Sequence, residues 1–301
     1  MKPMLSYLVC ATPRSGSTLL CHELARTGLA GRPQEYFEAL RRSGAPRRPH
    51  EYFDPDRHPN VVERLAFREM PEDAPKPNAL WRPDIYDQYL AWALREGTTA
   101  NGVFGAKVMW GYLGDFAELL RGIEGNAGRS LPDLLARAFP GLRYVQITRR
   151  DKVRQAVSLW KAVQTQAWRR EAGAGDDGRE GSAGEPVFSF RAINYLMRQL
   201  TAHDASWDAY FLGLGYEPLK VTYEELAESA DAVVRSVLDH LGIAAPADLQ
   251  IGAPRLSVQA DEVSELWVAR VLDHLEALEA PEPAWAPGAQ APSNARRAAR
   301  G

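Results

Sequence analysis

Residues 7–20 read YLVCATPRSGSTLL, and the change of pattern inside this stretch decides the class of fold. Tyr7 to Ala11 is a short apolar run with a valine, whereas beyond Thr12-Pro13 the apolar residues Leu20 and Leu24 share one face of a helical period. The reading is strand, loop, helix, with Gly28 ending the helix as a glycine just past the cap. A loop of small residues in that position aims several backbone N–H groups at one point, which favours an anion. Gly16 permits a tight approach, Ser15, Ser17 and Thr18 add hydroxyl donors, and Arg14 brings a fork of donors with a fixed charge. A nucleotide triphosphatase would need G-x-x-x-x-G-K-[ST], and the loop has neither the first glycine nor the lysine, so ATP hydrolysis is disfavoured. Taken alone, PRSGST also reads as a plain turn and helix cap.

The same alternation recurs along the chain. Gly102 to Trp110, Leu142 to Thr148 and Leu219 to Tyr223 read as strands, flanked by helical segments such as Asp84 to Glu96 and Ser189 to Leu212. Strand and helix in turn predict an α/β fold with a central parallel sheet and helices on both faces. LPDLLARAFP after Ser130 has a capping serine, a proline near the first helical position and a terminating proline, so it should cover the strand that follows. Residues 173–185, GAGDDGREGSAGE, read as a surface loop, and the Pro/Ala-rich residues 280–301 as a disordered tail, leaving residues 1–279 as one domain.

A second cationic element lies in YVQITRRDKVRQAVSLW, residues 144–160, where two arginines follow a strand and Ser158 stands eight positions after Arg150. Cations are mildly unfavourable at a helix N-terminus, which makes an anion ligand a better account of Arg149 and Arg150 than a solvated helix start. Two anion sites in this order suit a ligand with two separate phosphate-type groups.

These elements resemble the PAPS-dependent sulfotransferases, in which a P-[RK]-[ST]-G-[ST]-[ST] loop and an arginine followed eight residues later by serine hold the two ends of 3′-phosphoadenosine-5′-phosphosulfate (PAPS). The resemblance is closer still to the bacterial trehalose 2-sulfotransferase family, through GRPQEYF at 31–37, NGVFGAKVMW at 101–110, RRDKVRQAVSLWKAVQTQAW at 149–168, VTYEEL at 221–226 and SVQADEVSELW at 257–267. It implies a P-loop-like sulfotransferase fold and transfer of a sulfuryl group from PAPS to a hydroxyl of trehalose or a related sugar or glycolipid precursor. By the resemblance Arg14, Ser15, Gly16, Ser17 and Thr18 hold the 5′-phosphosulfate. Arg150 and Ser158 hold the 3′-phosphate, with Arg149 a rival for the role of Arg150. The matching residue for the family's general base is Glu35. A carboxylate taking the hydroxyl proton during attack contributes roughly 10² to 10⁴ in rate.

Lys107 lies among apolar neighbours in GVFGAKVMW, an awkward place for a lysine unless it acts at the strand end beside the leaving group; snorkelling is the alternative. Tyr223 matches a tyrosine near adenine, and Gln259 in SVQAD is a candidate nucleotide contact. Trp160, Trp168 and Trp267 read first as packing residues. Residues 35–100, including HEYFDPDRHPN and LWRPDIYDQYLAW, are the expected source of the acceptor pocket. The resemblance also implies a homodimer.

With 36 basic and 39 acidic residues the formal charge is -3, so no overall field draws in nucleic acid, and any anion site must be local. The six histidines are scattered and form no Cys/His cluster, so no metal is expected. The two cysteines, Cys10 and Cys21, read as reduced packing residues. No apolar run approaches the roughly 20 residues of a membrane span and no signal peptide is evident, which points to the cytoplasm. The competing function is a non-catalytic sensor of PAPS or its bisphosphate product, which would need no base at Glu35.

Overall fold

A computed structural model of the protein describes residues 2–38, 82–165, 185–246, 249 and 262–279. Four strands form one parallel sheet in the order β2-β1-β3-β4: β1 Leu5–Ala11, β2 Val103–Met109, β3 Arg143–Thr148 and β4 Leu219–Thr222. β1 is central, with Val9 beside Lys107 of β2 on one side and Val145 of β3 on the other. Every residue of β2 is buried, as are six of the seven in β1, which is why these strands read as nearly unbroken apolar runs. β4 is a short edge strand and is only partly covered.

The helices are α1 Ser17–Arg26, α2 Tyr86–Gly97, α3 Trp110–Arg121, α4 Leu131–Ala138, α5 Lys152–Thr165, α6 Phe190–Leu214, α7 Tyr223–Glu228, α8 Ala230–His240 and α9 Glu262–Glu279. From β1 the chain crosses to β2 on one side of the sheet order, whereas β2 to β3 and β3 to β4 run the other way. Right-handed crossovers then put α1 on one face and α3 to α6 on the other. The contacts agree: α1 packs on α8, and α3 packs on α6 through an edge-to-face pair of Trp110 and Trp207 with centroids 5.1 Å apart. This reversal of direction falls between β1 and β3, so a crevice opens beyond their carboxyl ends, where ligands of such sheets bind.

Local chemistry sets several boundaries. Ser130 caps α4 by accepting from the backbone N–H of Asp133, and Ser189 caps α6 through Ala192. α6 runs two residues past the expected Leu212 because the left-handed residue that ends it is Gly215. The strand expected to reach Tyr223 stops at Thr222, which forms a capping box with Glu225 and makes Tyr223 the first residue of α7.

The main core surrounds the sheet, and a second apolar cluster joins α5, α6 and α9 through Trp160, Ile193, Leu196, Trp267 and Val271. Trp160 and Trp267 are therefore packing residues, and the Trp160 indole donates to the carbonyl of Val187. Cys10 and Cys21 are buried free thiols. No helix among the described residues is long and apolar enough to cross a membrane. Trp168, Gln259, residues 173–184, most of the expected acceptor segment and the 280–301 tail lie outside the described residues.

Candidate active site

The loop between β1 and α1 is shaped by two left-handed residues that bracket Ser15. Arg14 has φ 63°, the one positive value on a non-glycine residue among those described, and Gly16 has φ 86°. Residues in alternating hand turn successive N–H groups toward a common point, the geometry of an anion nest. Gly16 is also the N-cap residue of α1, and no side chain caps the first turn. A Cβ at this position would lie 2.7 Å from Cδ2 of Tyr223, so glycine is required by space as well as by backbone conformation.

Arg14 leaves this loop toward α5, where its Nε donates to Oγ of Ser158 at 2.9 Å. Burial, then the neighbouring charge of Arg149, lowers the Arg14 guanidinium to about 10. Arg149 is itself lowered, chiefly by burial, and its guanidinium lies 4.4 Å from the centre of the Tyr223 ring. Two desolvated cations stand together beside uncapped helix amides. Two polar atoms of the same group, Oγ of Ser15 and Nε of Arg149, are buried without a hydrogen-bond partner. Unpaired buried donors beside clustered cations fit an anionic ligand.

Arg150 behaves differently. Its side chain is 65% exposed, with Nε 3.7 Å from the Glu224 carboxylate. Glu224 also accepts from the backbone N–H groups of Arg150 and Asp151 at the start of α5. Burial opposes ionisation of Glu224, yet those backbone donors hold its carboxyl below the usual range.

On the other flank of β1, residues after α1 return along the outer edge of β2. Gly31 allows this: its φ is 68°, and a Cβ there would meet the backbone of Gly105 at 2.6 Å. Gln34 pairs with Ala106 in an isolated parallel bridge, and Lys107 N–H donates to the Gln34 carbonyl at 2.9 Å. Phe37 is buried and stacks on Phe116 with centroids 4.5 Å apart, which ties the segment to the core. Glu35 is thereby set beside Lys107, whose Nζ stands 2.8 Å from Oε2 of Glu35 and donates to Oγ1 of Thr18 at 3.2 Å. Lys107 does not snorkel, since its side chain is only 6% exposed. Tyr112 of α3 donates to Oε1 of Glu35 at 3.0 Å.

The structure thus brings Arg14, Ser15, Gly16, Thr18, Ser158, Arg149 and Tyr223 together on one side, and links them through Thr18 and Lys107 to Glu35 on the other. Tyr112 was not singled out by the sequence. The available signal was a hydroxyl on the apolar stripe Tyr112, Phe116, Leu120 of α3. No group of three or more His, Cys, Asp or Glu residues among those described could hold a metal ion.

The family model for Stf0 sulphotransferase matches residues 6–273. A trehalose 2-sulfotransferase of Mycobacterium tuberculosis is 34% identical over 281 residues, covering 88% of this chain and 93% of that protein. One from Mycolicibacterium smegmatis is 34% identical over 271 residues with the same coverage. A crystal structure of a sulfotransferase from Alicyclobacillus acidocaldarius overlays with a TM-score of 0.40 at 16% identity, covering 92% of this chain and 96% of that one.

Proposed function

The chain belongs to the Stf0 sulphotransferase family, and we propose that it moves a sulfuryl group from PAPS to a hydroxyl of trehalose or a closely related sugar, with Glu35 as general base. The observation that carries this reading is the position of Lys107, whose ammonium touches Thr18 of the anion loop and Glu35 at once. It brings a donor-binding element and a proton acceptor to one point.

In this reading the uncapped amides of α1, Ser15 and Arg14 bind the 5′-phosphosulfate. Ser158 and Arg149 receive the 3′-phosphate. Arg149 is preferred to Arg150 because it lies against Tyr223 within reach of the charge of Arg14, whereas Arg150 is exposed and engaged by Glu224. Tyr223 supports Arg149 through its ring face.

Glu35 takes the proton of the acceptor hydroxyl as its oxygen bonds to sulfur. The bond from sulfur to the 5′-phosphate oxygen breaks in line, and the electron pair stays on that oxygen. Arg14, the loop amides and Lys107 stabilise the charge that develops there. Tyr112 and Lys107 hold one carboxylate oxygen of Glu35 each, which fixes its direction.

The test is to incubate the protein with PAPS and a panel of sugars that includes trehalose, and to follow product mass. Gain of one sulfuryl group by a disaccharide supports the assignment. Binding of PAPS with no transfer to any sugar, phenol or lipid would replace it with the sensor reading.

A further inference from the structure

Beneath the crevice, four polar side chains from three elements close a ring of hydrogen bonds. Thr12, the fully buried residue between β1 and the anion loop, donates from Oγ1 to Oδ1 of Asp204 on α6 at 3.1 Å. Lys152, the first residue of α5, donates to Oδ2 of Asp204 at 2.5 Å and to Oε1 of Gln155 at 2.9 Å. Gln155 completes the ring by donating from Nε2 to Oγ1 of Thr12 at 3.1 Å.

Two bonds leave this ring for the backbone of the two anion-binding segments. Gln155 donates to the carbonyl of Pro13, next to Arg14, at 2.8 Å, and Lys152 donates to the carbonyl of Arg149 at 2.5 Å. One helical turn along α6, the indole of Trp207 donates to the carbonyl of Ala11 at 3.1 Å, fixing the same helix to the end of β1.

We infer that Asp204 is a positioning residue for the donor, setting the separation between the segment that carries Arg14 and the segment that carries Arg149. The inference rests on the assignment of those segments to the two ends of PAPS. Asp204 occupies the stripe Leu200, Asp204, Trp207, Phe211, where an apolar residue would pack. An interior ion pair is seldom more stabilising than an apolar replacement of similar volume, so stability alone does not account for a carboxylate there. Burial pushes the Asp204 carboxyl up, and its bonds to Lys152 and Thr12 pull it back toward ionisation. A ligand with a phosphate at each end reads the distance between the segments, while a ligand with one phosphate does not. An ångström of misplacement can cost as much as about a hundredfold in a pre-organised site.

Calorimetric titration with adenosine 3′,5′-bisphosphate and with adenosine 5′-monophosphate tests this in the wild type, Asp204→Asn and Thr12→Val. The wild type binds the bisphosphate more tightly. Both variants lose about tenfold or more for the bisphosphate, and less than about threefold for the monophosphate. Thr12→Ser, which restores the hydroxyl, recovers the wild-type preference, and the KM for PAPS rises in Thr12→Val with kcat retained. Should Asp204→Asn fail to fold, Thr12→Val carries the test alone. Parallel weakening of both ligands, or no weakening of either, overturns the positioning role. A wild type with no preference for the bisphosphate overturns the donor assignment itself, and this inference with it.

Discussion

The loop from Thr12 to Thr18 follows the end of β1, whereas the segment from Gln34 to Phe37 runs beside the neighbouring strand β2, and they manage charge in opposite ways. On the loop side, Arg14 and Arg149 are desolvated and each other's neighbours, and both guanidiniums are lowered. On the other side, Glu35 meets Lys107 and Tyr112 within 3.0 Å, so the carboxylate and its countercharge come from the chain itself. In the proposed reading an anion joins the first flank, whereas the second pairs a carboxylate with a cation of the chain. Substitutions should therefore weaken donor binding without loss of stability on the loop side, and lower stability on the Glu35 side.

The largest effect is expected for Arg14→Ala, which should weaken adenosine 3′,5′-bisphosphate by about 2–5 kcal/mol. Because it also removes a charge that folding desolvates, the thermal midpoint of the free protein should stay the same or rise. A parallel fall in midpoint would break the contrast.

Lys107→Met should do the reverse to stability, costing about 3 kcal/mol by removing the cation that faces the Glu35 carboxylate. Adding Glu35→Gln should return most of that loss, and denaturant unfolding of the two single variants and the double variant measures it. Additive losses would show that the pair is not coupled.

An effect no larger than this concerns α6 beneath the loop. Burial lowers His203 to about 4, below the ordinary value of about 6.5. Between these two pH values the unfolded chain binds the proton and the folded chain does not, so stability falls as pH drops. His203→Gln should flatten that fall by up to about 3 kcal/mol, read as the difference between the two unfolding profiles. Equal slopes would place His203 in contact with solvent.

The sequence was most legible where a feature is local. The apolar run of β1, the positive-φ glycine and the helix after it lie within a short stretch, and the capping residues Ser130 and Ser189 act over a few positions. Glu35 was legible only through its motif, since its partner Lys107 lies on β2, and nothing local reveals that residues 34–37 run beside that strand. The ring around Asp204 was missed for the same reason: Thr12 and Asp204 are 192 positions apart, and Thr12 and Gln155 are 143 apart. A signal was present, since both Asp204 and Gln155 fall on apolar stripes of their helices. A polar residue in such a stripe marks a buried partner without saying which one. The choice between Arg149 and Arg150 depended on side-chain direction, which adjacent identical residues conceal.

The most direct test of the two-flank account is Glu35→Gln, assayed for sulfuryl transfer from PAPS to trehalose and titrated with adenosine 3′,5′-bisphosphate. The account predicts turnover lower by about a hundredfold or more, with affinity for the bisphosphate unchanged because the donor flank is untouched. Turnover equal to wild type, or a loss of bisphosphate affinity that matches the loss of turnover, would contradict it.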